Sequence, residues 1–222
     1  MLIDSEKKEI IDSILNKLEK EKTVLINFRN LYNLLEKNEV ELCRKFLKIN
    51  PRKYGFKGKY FGIKSVPKKL IEIKGQKYIE NEKIKNIATQ YLSGRVYKLF
   101  IKLNKGLQKD LNRKLLIDSC YRSPAYQLFT FFYYLKFLNW NFRNTIKRVA
   151  LPGYSEHGDP FNPAIDFITR DGKPGDKKPL DFLETKEYEW LLKNADKFGF
   201  YLSYSKKNKY GIMFEPWHWR LK

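Results

Sequence analysis

A chain of 222 residues, 42% hydrophobic and 16% aromatic, can bury a real core as one domain or as a catalytic domain with a smaller appendage. Its 45 Lys+Arg against 25 Asp+Glu leave a formal net charge of +20, a field that favours nucleic acid, anionic lipid or an acidic wall polymer, although the lysines are spread as a coding bias would spread them. Two cysteines, Cys43 and Cys120, without a CxxC pair argue against a thiolate zinc site or a disulfide framework and leave one bridge open; no uncharged apolar run nears the roughly 20 residues of a membrane span.

The chain opens MLIDSEKKEI, charged from residue 4, with no apolar signal core behind it. A soluble protein is expected, and the sequence does not set its location. Residues 5 to about 48 read as helical, with Ile10, Ile11, Ile14, Leu15 and Leu18 at helical spacing, then Leu31, Leu34, Leu35, Leu42, Phe46 and Leu47. Between Leu42 and Ile71 no acidic residue occurs, while basic residues accumulate and Gly55, Gly58, Gly62 and Pro67 break the stretch into loops or short strands. Tyr54, Phe56, Tyr60 and Phe61 interleave with those charges. Such a mixture either binds a polyanion or forms the wet and core-facing sides of a small subdomain.

From about residue 84 the pattern predicts a helix to Leu111, broken near Gly94, then a buried strand at Leu115 to Ile117. Ser123-Pro124 is a helix start, because Ser caps orphan amides and Pro suits the first turn. The helix that follows, through Phe129, Phe132 and Leu135, is apolar nearly all round. Thr185 to Phe198 reads as another helix stopped by Gly199. Phe200 to Tyr204 and Tyr210 to Phe214 read as two strands joined by a polar turn. The expected fold class is α+β, a small antiparallel sheet flanked by helices, with a helical, basic N-terminal region at 1–83 and an α+β region at 84–222.

Only two histidines occur. His157 follows the turn-forming Pro152-Gly153 within Tyr154-Ser155-Glu156-His157-Gly158, and His218 sits in Glu215-Pro216-Trp217-His218-Trp219. Asp166 interrupts the apolar run Ala164-Ile165-Asp166-Phe167, where a buried carboxylate needs a partner or a metal. Two imidazoles and one carboxylate would give zinc three protein ligands and leave a position open.

These stretches resemble the VanY-type D-alanyl-D-alanine carboxypeptidase family, which includes related cell-wall dipeptidases and phage endolysin peptidases. Ser155-Glu156-His157 with Ala164-Ile165-Asp166 looks like its Ser-x-His…Ala-x-Asp motif, and Glu215 to His218 looks like its Glu-x-x-His motif. Ser119 to Ser123 with Gln127 is similar to its Gly-Tyr-Arg-Ser…Gln segment, with Cys120 in place of the usual Gly. Tyr188, Trp190, Asn194-Ala195 and Phe198-Gly199-Phe200 resemble the helix and strand before the last motif. The resemblance implies a Zn2+ enzyme cutting peptidoglycan peptides, with His157, Asp166 and His218 as ligands and Glu215 as general base acting on water at the metal. It also implies Arg122 as stabiliser of the oxyanion, with Ser155, Gln127 and Trp217 at the substrate. Asp166 stands nine residues after His157 rather than the family's seven, which makes Asp159 a rival ligand; the Ala-x-Asp context favours Asp166.

The cut would be of the D,D-carboxypeptidase type, with an endolysin-like endopeptidase or a non-catalytic zinc-containing wall-binding protein as alternatives. The basic N-terminal region would hold anionic wall polymer. No membrane span is expected, and nucleic acid is disfavoured as a partner because both histidines lie in peptidase motifs.

Overall fold

Side-chain caps fix where most helices begin. In the computed structural model, which describes residues 2–21, 23–174 and 179–222, the helices are α1 (Ser5–Glu21), α2 (Phe28–Leu34), α3 (Lys37–Leu47), α4 (Gly94–Leu111), α5 (Pro124–Phe137), α6 (Phe142–Arg148) and α7 (Lys186–Asn194). The strands are β1 (Ile71–Ile73), β2 (Lys77–Glu80), β3 (Lys83–Asn86), β4 (Gln90–Leu92), β5 (Leu115–Ser119), β6 (Ile165–Thr169), β7 (Phe200–Leu202) and β8 (His218–Leu221). Asn27, Ser93, Ser123, Asn141 and Thr185 each accept a hydrogen bond from a first-turn amide of the helix that follows. No helix among the described residues is long and apolar enough to cross a membrane.

The chain divides into two compact units that share it in alternating segments. The first comprises Met1–Val66, Arg122–Gly158 and Lys209–Met213. Its centre is α5, whose Leu128, Phe131, Phe132 and Leu135 are buried together with Ile11 and Ile14 of α1. Phe46 of α3 meets Phe132 edge-on at 4.8 Å between ring centroids, and Phe142 of α6 packs against Phe131. The basic, aromatic stretch belongs to this unit and is two-sided. Phe56 and Phe61 are buried while Arg52, Lys53, Lys57 and Lys59 are exposed. The Lys57 amide donates to the Tyr210 carbonyl, and the Phe61 amide to that of Gly153. Gly211, at φ +74°, stands so close to this stretch that a Cβ there would lie 2.2 Å from the Gly55 carbonyl oxygen.

The second unit comprises Pro67–Tyr121, Asp159–Asn208 and Phe214–Lys222. It holds a four-stranded antiparallel sheet in the order β5-β6-β8-β7, the hairpin β2-β3 and the pair β1-β4. Leu115, Ile117, Ile165, Phe167, Phe200, Trp219 and Leu221 form one core with Val96, Phe100, Leu103 and Leu107 of α4 and Tyr188, Trp190 and Leu191 of α7. Helices thus cover one face of the sheet. Gly106 of α4 permits the close approach, since a Cβ there would meet Phe198 at 2.7 Å.

Two expectations change and one open question closes. Residues 84–92 hold two strands rather than the start of a helix, because β3 pairs with β2 and β4 with β1, and the Ser93 hydroxyl starts α4 only at Gly94. The partner of β7 is β8, whereas Tyr210 to Phe214 makes no strand; its Tyr210 carbonyl and Met213 amide bond to Lys57 and Lys147. The bridge that the sequence left open does not form: Cys43 and Cys120 are both buried and are not bonded to each other, and burial pushes the Cys43 thiol up to about 12.

Inside the first unit, Glu39 of α3 is buried and accepts from Ser13 at 2.7 Å, Lys17 at 2.8 Å and the Glu36 amide at 2.7 Å. Burial raises its carboxyl, but the bonds from Lys17, Ser13 and the Glu36 amide outweigh burial and hold it below the ordinary value. A carboxyl lowered by folding contributes stability that is full above its ordinary value and is lost as pH falls through the lowered one. Glu39→Ala is expected to cost about 1–3 kcal/mol in urea denaturation at neutral pH. The gap to the native protein should narrow on acidification.

Candidate metal centre

Register decides where the polar side chains of the sheet go. β6 and β8 pair with Ile165 opposite Trp219 and Asp166 opposite His218. Because successive side chains alternate, Ile165 and Trp219 enter the core and Asp166 and His218 leave from the other face. There His218 Nδ1 lies 2.8 Å from Asp166 Oδ1, and Glu215 Oε2 lies 3.9 Å from the same nitrogen. The tight turn behind Glu215 is closed by the His218 amide on the Glu215 carbonyl at 3.1 Å. Pro216 lies within that turn, and its carbonyl accepts from Trp219 Nε1 at 2.9 Å. Trp217 is half-buried against the core of the unit and its carbonyl accepts from the Phe167 amide.

Tyr204, which the sequence marked only as a strand residue, supports both Glu215 and His218. Its ring stacks on His218 with centroids 4.4 Å apart and planes at 12°, and its carbonyl accepts the Glu215 amide at 3.0 Å. No local pattern marks this role, which comes from a long-range return of the chain.

In the other unit, His157 is buried in the single 3₁₀ turn Glu156–Gly158, and its carbonyl accepts the Arg122 amide at 3.1 Å. Arg122 immediately precedes the Ser123 cap of α5, so its backbone is held from both sides. Its Nε is buried with no hydrogen-bond partner among the described residues. Burial pushes the nearby Tyr126 phenol up, and the Arg122 charge opposes that shift. Gln127 is buried, donates to the Ala150 carbonyl at 2.7 Å and keeps an unmatched Oε1, while Ser155 is buried beside His157.

Among the described residues, His157, Asp166 and His218 form a group that could hold a metal ion: each offers one ligand atom, all within 4.8 Å of one another. Asp159 is engaged elsewhere, with Oδ2 paired to Arg220 at 2.6 Å and Oδ1 accepting from the Phe161 and Asn162 amides. Two imidazole nitrogens and a carboxylate oxygen fit a zinc site with one open position.

Removing the Tyr204 ring should destabilise the second unit. Tyr204→Ala is expected to cost about 2–4 kcal/mol in urea unfolding, and Tyr204→Phe, which keeps the stack, well under half of that.

The model of the VanY family, D-alanyl-D-alanine carboxypeptidase, matches residues 89–222. No curated protein matches the chain by sequence. The solved LdcB LD-carboxypeptidase aligns at 24% identity over 72% of this chain and 71% of its own, with a TM-score of 0.55, which shows a shared fold. The vancomycin-resistance D,D-dipeptidase VanXYg, solved with a D-Ala-D-Ala phosphinate analogue, aligns at 27% identity and a TM-score of 0.50 over 59% of this chain, which spans 50% of that protein. A vancomycin-resistance D,D-pentapeptidase VanY in complex with Zn(II) aligns at 20% identity and a TM-score of 0.46, over 70% of this chain and 82% of its own. Sequence and fold agree, and the chain belongs to the VanY family of D-alanyl-D-alanine carboxypeptidases.

Proposed function

We propose that this protein is a zinc metallopeptidase that hydrolyses a D-amino-acid-containing peptide bond of peptidoglycan, of the D-Ala-D-Ala carboxypeptidase type. The observation that carries the reading is the group His157, Asp166 and His218, with ligand atoms within 4.8 Å and Glu215 Oε2 at 3.9 Å from His218 Nδ1. Membership of the family supports peptidase chemistry. The D-Ala-D-Ala analogue held by VanXYg supports the D,D choice. The catalytic domain is assigned to 84–222. The basic region at 1–83 is assigned a contact with anionic wall polymer, supported by exposed Arg52, Lys53, Lys57 and Lys59.

In this assignment His157, Asp166 and His218 hold the metal. Zinc, when bound, lowers the pKa of a coordinated water from 15.7 to about 7 and polarises the scissile carbonyl. The remaining steps fall to the chain. The Glu215 carboxylate takes the proton from the attacking water as its oxygen bonds the carbonyl carbon, then delivers it to the amine as the carbon–nitrogen bond breaks. Its residue is 8% exposed, which keeps bulk water from competing for that proton. The Arg122 guanidinium stays charged throughout and is assigned to stabilise the developing oxyanion. Ser155, Gln127 and Trp217 are assigned to substrate.

Glu215→Ala should abolish release of D-Ala from a D-Ala-D-Ala-terminated peptide followed by mass spectrometry, while one zinc per chain is retained. A rate equal to the native one would remove Glu215 as base. Arg122→Ala should lower kcat by about 100- to 1000-fold. Chelation should silence the native enzyme and zinc should restore it; activity that survives a metal-free preparation would overturn the metallopeptidase reading.

A further inference from the structure

The alignment of Asp166 with His218 hangs on a short ladder. β6 and β8 share two residue pairs, Ile165 with Trp219 and Asp166 with His218, extended by the Phe167 amide on the Trp217 carbonyl. Asp166 and His218 project from this two-pair ladder, whose strands are also registered on β5 and on β7; a slip of one residue would turn both into the core. The entry to β6 offers a further support.

That entry is the loop 159–162, and it is tied down on three sides. Arg220 stands two residues beyond His218 on β8 and therefore on the same face. Its NH2 pairs with Asp159 Oδ2 at 2.6 Å, and its Nε donates to the Asn162 carbonyl at 3.4 Å. The two side chains are 13% and 14% exposed, so the pair is shielded from water. Asp159 Oδ1 meanwhile accepts from the Phe161 amide at 3.0 Å and the Asn162 amide at 3.4 Å, which folds the loop onto its own carboxylate. From the start of α4, the capping Ser93 Oγ donates to the Phe161 carbonyl at 2.7 Å and Arg95 to Asn162 Oδ1 at 3.2 Å. The two residues by which the His157-to-Asp166 spacing exceeds the family pattern fall within Gly158 to Pro163, the stretch that holds this loop. The extra length carries its own brace.

We propose that Asp159 and Arg220 form a positioning pair for the metal centre, locking the loop onto β8 so that Asp166 and His218 stay in register. The inference rests on the assignment of Asp166 and His218 as ligands. Partners outside the coordination sphere that hold ligands in place change metal affinity when removed, which separates this role from a purely structural one.

The test uses the full chain with zinc as the probe. Asp159→Asn keeps the acceptor for the two loop amides and loses the charge, Arg220→Gln loses the charge from the other side, and Arg220→Lys keeps charge with a different reach. Zinc affinity is measured by competition with a chromophoric chelator, at a temperature where circular dichroism shows each variant folded, and kcat and KM are measured on the same samples. Asp159→Asn and Arg220→Gln are each expected to weaken zinc binding about 10- to 100-fold, the double variant no further than the weaker single, and Arg220→Lys less than either. In zinc-saturated samples kcat should fall while KM holds. Zinc affinity unchanged from native in Asp159→Asn and in Arg220→Gln would overturn the proposal, as would fully additive losses in the double variant. A native protein that binds no zinc, or a His218→Ala variant that binds it as well as native, would instead sink the metal-site assignment itself and this proposal with it.

Discussion

The antiparallel register of β6 against β8 is the constraint on which the polar face depends. Each strand has only a few residues, and alternation gives each residue one of two fates. Ile165, Phe167, Trp219 and Leu221 fill the core under α4 and α7, and this burial fixes the opposite fate for Asp166, His218 and Arg220. The chemistry is therefore positioned by hydrophobic packing on the far side of the same strands. Tyr204 adds a second support through its ring and its carbonyl, so the imidazole of His218 is held from the strand and from a stacked neighbour.

Much of the candidate site was legible in the sequence because its side chains carry their own signals. Two histidines in a chain of 222 residues, and a carboxylate inside an apolar run, stand out without any knowledge of the fold. Helix starts were legible for a related reason: Ser123 and Thr185 act on amides three residues away, a distance that sequence can see. What failed to show was non-local. Residues 84–92 have helix-compatible spacing, but pairing with β1 and β2 overrides it. Tyr210 to Phe214 has strand composition, yet its backbone groups bond to Lys57 and Lys147, each more than 60 residues earlier. Tyr204 and Arg220 are ordinary by type, and their contacts exist only once the chain has returned on itself.

Buried polar groups divide into two kinds. Glu39 is matched by Lys17, Ser13 and a backbone amide, and Glu187 by Arg113 at 3.1 and 3.2 Å; these are closed circuits that serve packing. Arg122 Nε and Gln127 Oε1 are left with hydrogen-bonding capacity unspent, against the usual rule for native interiors. Both lie in the first turn of α5 or just before it, the stretch that carried the family's Arg-Ser…Gln pattern.

Gly211 shows how a position can be exposed and still be rigidly specified. Its left-handed backbone and the 2.2 Å separation from the Gly55 oxygen leave no room for even a methyl group, so two main chains touch where side chains normally keep them apart. In a saturation library such a site would behave like the deepest interior despite facing solvent, and solvent accessibility alone would mislead anyone choosing where to attach a label or an affinity tag.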